Sequence, residues 1–208
     1  MDKELILQRI IPVFLIIWAI INSWFHLSNN NPQGILWFCN TIIFLMALGF
    51  WFDNKIILSS AAVSYTLFGI AWTIDVISFF ATGKFLLDVA VYISSTKGLS
   101  QIITFYHAVL LIFSLGFIII EKKIYKHAWL ISSAHLLIVL ILSLLLTNSN
   151  VNCVRVACEI GKLNFLYALK PEFLPVILFN WAMFTVLGFI PIQLILSLVK
   201  KKHTLHQP

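Results

Sequence analysis

Six long apolar runs, each closed by a short polar break, constrain this chain more than any other feature. They cover about residues 9–27, 34–52, 56–80, 101–120, 128–147 and 173–199. A hydrocarbon core about 30 Å thick is crossed by roughly 20 mostly apolar residues in a helix. In lipid the backbone must satisfy its own hydrogen bonds, which a helix does within one segment. The breaks are sharp: Asn29-Asn30-Asn31-Pro32 after the first run, Asp53-Asn54-Lys55 after the second, Glu121-Lys122-Lys123 after the fourth. Pro171 and Pro175 open the last run, where a missing backbone donor costs least, and Pro191 inside it should kink the helix. The expected fold is therefore all-α, a polytopic transmembrane bundle of six spanning helices, with residues 1–208 as one integral membrane domain. Composition agrees, since 61% of the chain is hydrophobic and 11% charged, against about 25% charged in soluble domains. No Gly/Ser-rich or Pro-rich tract marks a second domain, and no internal repeat suggests a transporter built from inverted halves. The run from Ile10 to Ile21 leads into Asn22-Ser23-Trp24-Phe25-His26 without a small-residue cleavage site, so it reads as a retained first helix.

The net charge of +6 does not point to nucleic acid, because the basic residues cluster at helix ends where orientation signals and anionic-lipid contacts lie. With the N-terminus inside, the cytoplasmic face holds Lys3, Arg9, Lys55, Lys122, Lys123, Lys126, Lys200, Lys201 and Lys202. The outer face holds Lys84, Lys97, Arg155, Lys162 and Lys170. Nine against five gives an N-in, C-in expectation in the plasma (cell inner) membrane. Cys153 and Cys158 then fall in a long loop on the oxidising side, either bridged or left as two thiols. Residues 85–95 are too few to span and suggest a short surface or re-entrant helix, or an ordinary loop helix.

Ionisable groups in a bilayer are costly and usually face the bundle interior. At 1.5 Å per residue, Cys39 and Asp75 each lie about 7 Å below the outer ends of their runs, His107 about 9 Å and Asn180 about 10 Å. His26 and Asn22 stand at the outer end of the first run. One polar layer under the outer surface thus collects a thiol, a carboxylate, imidazoles and amides. In a nucleophile–base–orienter arrangement, Cys39 is the nucleophile, His107 the base and Asp75 its orienter, with Asn40 or Asn180 donating to an oxyanion. The plainer reading makes Cys39 a small packing residue and the His and Asn side chains interhelical hydrogen-bonders. Asp75 must still be paired or protonated, and His107 is its expected partner. His135, about 18 Å deep, fits a core contact. Trp24, Trp37, Trp129 and Trp181 read as interfacial belts.

The order of features resembles the YwaF-like integral membrane proteins, whose relatives include a Cys/His phospholipid acyltransferase. The likeness rests on Leu36-Trp37-Phe38-Cys39-Asn40, on Phe105-Tyr106-His107-Ala108-Val109-Leu110-Leu111, and on Asn150-Val151-Asn152 followed by Asn164-Phe165-Leu166-Tyr167-Ala168-Leu169-Lys170-Pro171. It implies an acyl-accepting Cys39 with His107 as base. A His two positions before the Cys belongs to that pattern, whereas Trp37 stands there in this chain. Three functions follow as expectations. The first is a lipid acyltransferase acting on membrane lipids. The second is a zinc-dependent membrane hydrolase drawing on His26, Asp75, His107 and His135, although no His-x3-His pair occurs. The third is a transporter or structural membrane protein. P-loop, dinucleotide, Gly-x-Ser-x-Gly and Cys-x-x-Cys motifs are missing, so no soluble cofactor is expected.

Overall fold

A computed structural model describes residues 9–95, 98, 104–121, 124–148, 151–155 and 175–204. Helices predominate and no strand occurs among these residues, and the helices form one bundle. The elements are α1 (Ile11–Ser28), a 3-10 turn (Pro32–Leu36), α2 (Phe38–Trp51), α3 (Lys55–Thr82), a second 3-10 turn (Val91–Ser95), α4 (Tyr106–Glu121) and α5 (Ala128–Leu146). A third 3-10 turn (Val151–Cys153) precedes α6 (Val176–Met183), which runs through a π-helical stretch (Phe184–Phe189) into α7 (Ile190–Thr204). Four helical rods are long and apolar enough to cross a membrane: Ile11–Ser28, Lys55–Thr82, Ala128–Leu146 and Val176–Leu198. Phe38–Trp51 and Tyr106–Ile120 are apolar but shorter.

Side-chain partition follows the solvent. Ile119, Leu145 and Leu146 project from the bundle, whereas Ser59, Ser60, Ser114, Ser132, Ser143 and Asp75 are fully buried. A soluble protein does not leave so much contiguous apolar surface facing water, and lipid is the solvent that accepts it. The chain is a multi-pass membrane protein.

Local chemistry sets the helix ends. Asn54 caps α3 by accepting from the backbone N–H groups of Ile56 and Ile57 at 3.0 and 3.1 Å. At the other end Gly83, at φ 73°, takes the left-handed position that closes a helix. The Arg155 guanidinium donates to the carbonyls of Leu144 and Thr147, which the end of α5 leaves without helical partners. The π-helical stretch lies just ahead of Pro191. A proline in a helix removes one N–H and crowds the carbonyl four residues earlier, here Leu187, and the wider π turn accommodates both.

The central rod is α3, which packs on α2, α4, α5 and the last rod. Its first half carries Ser59, Ser60, Ala61, Ala62 and Ser64, all buried, so neighbouring backbones approach closely. Ser132 of α5 donates to the Ser60 carbonyl at 2.9 Å, and Ser133 meets Thr185 at 2.9 Å. The Trp181 indole N–H donates to the Ser133 carbonyl at 3.1 Å, which turns this side chain toward α5.

Two expected boundaries move. The second helix begins at Phe38 and not near residue 34, because Pro32–Leu36 winds as a 3-10 turn and Trp37 is extended. The third run is longer than expected, and the chain after Gly83 folds back along it. Asp75 accepts from the backbone N–H groups of Leu87, Val89 and Ala90, and the Trp72 indole donates to the Tyr92 hydroxyl at 2.7 Å. Residues 85–95 therefore form a returning segment with a 3-10 turn at Val91–Ser95, packed on the far half of α3.

Candidate functional site

The start of α2, the middle of α3 and the start of α4 meet in one buried cluster. Cys39 occupies the first turn of α2, at the positive end of the helix dipole. It is a free thiol, 7% exposed. The Tyr106 hydroxyl donates to its sulfur at 2.8 Å, and the sulfur lies 3.9 Å from the Asn40 side-chain oxygen.

His107 follows Tyr106 and is buried among aromatic rings, with centroids 4.1 Å from Tyr106, 4.9 Å from Trp72 and 5.9 Å from Phe68. Its Nδ1 lies 2.6 Å from the Tyr65 hydroxyl, which also donates to the His107 carbonyl at 3.0 Å. A phenol has one proton and a carbonyl has none. Both contacts are satisfied together only if Nδ1 carries the ring proton and donates to the phenol oxygen. That tautomer leaves the lone pair on Nε2, the form a general base needs.

The other expected residues fall elsewhere. Asp75 is not spent on His107: its two carboxylate oxygens accept from the backbone N–H groups of Leu87, Val89 and Ala90. Depth counted from the ends of the runs put the two level, but α3 runs on to Thr82 while α4 begins only at Tyr106, so the end of α3 and the start of α4 are not flush. The carboxylate instead organises the returning segment. Asn40 spends both amide protons, donating to the Gly34 carbonyl at 2.6 Å and meeting His26 Nε2 at 3.1 Å. Asn180 donates to the Cys153 carbonyl at 2.8 Å. Asn40 thus has both amide protons engaged away from Cys39, and the Asn180 amide is turned toward the Asn152–Cys153 turn. The His135 ring lies tilted against Phe38, with centroids 5.2 Å apart. Among the described residues no three His, Cys, Asp or Glu side chains converge on a metal-sized site, and the four expected zinc ligands are dispersed.

Three partners were not singled out from sequence. Tyr65 stands mid-helix in Ser64-Tyr65-Thr66, away from any interface, and a phenol at that depth is itself a signal, since Tyr usually marks membrane boundaries. Tyr106 was visible only as the neighbour of His107. Asn152, noted for its tract, proves to cap α2: its Oδ1 accepts from the Phe38 N–H at 2.9 Å. Beside it Cys153 is disulfide-bonded, while Cys158 lies outside the described residues. No protein-family model matches the chain, and no curated protein or solved structure matches it either.

Proposed function

We propose that this protein is a membrane-embedded lipid acyltransferase that works through a thioester on Cys39, with His107 as proton carrier. The observation that carries the reading is the Tyr106 hydrogen bond to the Cys39 sulfur at the start of α2, with His107 next along α4. A donor on sulfur stabilises the thiolate, and the helix N-terminus acts in the same sense. In the reaction the thiol proton passes to His107 Nε2, and sulfur attacks the ester carbonyl of a phospholipid. The C–S bond forms, the ester C–O bond breaks, and the proton leaves with the released lipid hydroxyl. A second lipid hydroxyl then reverses these steps, giving up its proton to His107 and receiving the acyl group. The likeness to the YwaF-like proteins assigns the same two residues.

The same proposal takes six membrane crossings with both termini in the cytoplasm of a plasma (cell inner) membrane. The 14 residues of α2 rise about 21 Å, and the 3-10 turn before it adds about 10 Å, together near the thickness of a bilayer core. Basic residues favour the side of Asp53-Asn54-Lys55 and Lys200-Lys201-Lys202 as cytoplasmic.

One observation favours a non-enzymatic reading: Asp75, Asn40 and Asn180 all hold backbone of their own chain. Purified protein in nanodiscs, incubated with acyl-labelled phospholipid, separates the two. Wild type should carry hydroxylamine-labile label, Cys39→Ser none, and His107→Ala about 100-fold less per unit time, the lower bound for a lost general base. No label on folded wild type would remove acyl transfer and leave the non-enzymatic reading.

A further inference from the structure

The start of α2 is not closed by its own residues. Asn152, from the 3-10 turn after α5, accepts from the Phe38 N–H and donates to the Leu36 carbonyl at 2.7 Å and the Ser143 hydroxyl at 2.9 Å. The bonds to Phe38 and Leu36 lie on either side of the break between the 3-10 turn and α2, the first of them one residue from Cys39, and the third ties Asn152 to α5. To make them Asn152 sits at φ 53° and Cys153 at φ 58°, the left-handed region. Asn tolerates that region; Cys rarely adopts it. Something must hold the pair there. Asn180 takes the Cys153 carbonyl at 2.8 Å, and Cys153 is itself bridged. Arg155 ties the same loop to the end of α5.

We infer that Asn152 is a positioning residue for Cys39 and that the disulfide at Cys153 makes this latch redox-sensitive. In the oxidised protein the bridge keeps Cys153, and with it Asn152, in the left-handed turn. Reduction by a dithiol transfers two electrons and two protons to the bridge, leaving two thiols and an oxidised, cyclised dithiol. The turn then relaxes, Asn152 leaves Phe38 and Leu36, and the first turn of α2 frays around the sulfur. The inference takes Cys39 as the reacting group of the proposed site, but its test reads alkylation and not acyl transfer, so each can fail without the other.

The test is the rate at which N-ethylmaleimide modifies Cys39 in nanodiscs, read on the Cys39 peptide by mass spectrometry. Dithiothreitol should raise that rate about tenfold in wild type, the scale of losing one buried cap. Asn152→Ala should be fast before reduction and gain little from it. Cys153→Ser should match reduced wild type. A thiol placed by Ser114→Cys, at a fully buried position of α4, should be indifferent to dithiothreitol. Equal rates with and without reductant in wild type would overturn the inference. So would an Asn152→Ala protein that still responds fully, or a Ser114→Cys thiol that accelerates as much as Cys39, since reduction would then loosen the whole bundle.

Discussion

Asp75 shows how a residue can be read correctly as costly and wrongly as to its partner. A fully buried carboxylate in a membrane helix needs compensation, and that was evident from its position in the third run. The compensation comes from three backbone N–H groups, not from an imidazole. Backbone donors carry no side-chain identity, so no residue type in 85–95 could announce them. Asp75→Asn leaves one of its two acceptor oxygens replaced by a donor facing a backbone N–H. We expect a loss of about 1–3 kcal/mol, the scale of an unsatisfied buried group. Thermal unfolding in detergent should register the loss, and hydrogen exchange should accelerate across residues 87–90. Unchanged exchange there would mean that the carboxylate does not hold the returning segment. His107 is the converse case. Its burial was anticipated, but its partner, Tyr65, lies on a different helix, and only packing brings the two together.

Among the elements, α3 decides most of the arrangement. Small residues along its first half let α5 come close enough for Ser132 to reach the Ser60 carbonyl. Interhelical hydrogen bonds in membrane proteins average about 0.6 kcal/mol, whereas overpacking a close contact costs about 1–3 kcal/mol. Ser132→Ala should therefore be mild and Ser132→Leu severe, measured by unfolding in mixed detergent. Similar effects from both would show that the hydrogen bond, not the close approach, holds α3 to α5. The length of α3 also accounts for the misjudged depths. A 28-residue helix rises about 42 Å, more than a bilayer core, so the starts of its neighbours are not level with its end. Hydropathy locates a helix but is blind to how far its polar-tolerant ends extend. The late start of α2 had a partial signal in Pro32 and Gly34; its cap, Asn152, lies 114 positions away in the chain and had none.

For the whole molecule, the contacts pair ends that the proposed topology places on the same side. Phe38 at the start of α2 and Ser143 near the end of α5 share Asn152, while Leu58 near the start of α3 lies against Gly49 near the end of α2. With the N-terminus inside, Asn30→Cys should react with an impermeant maleimide added to intact cells, and Asp53→Cys should react only after the membrane is opened. The reverse pattern would invert the proposed orientation.

Burial physics made the helical, membrane-bound class legible from sequence alone. Runs of apolar side chains can be stable only in lipid or a core, and each run reports this locally, without knowledge of its neighbours. The same locality made the breaks visible at Asn29-Asn30-Asn31-Pro32 and Asp53-Asn54-Lys55. Which polar groups meet is a different kind of fact. The contact of Tyr106 with Cys39, of Tyr65 with His107 and of Asp75 with the 87–90 backbone depends on the relative height and rotation of helices. Those are set by the sum of many small packing contacts along α3, and only the tertiary structure decided them.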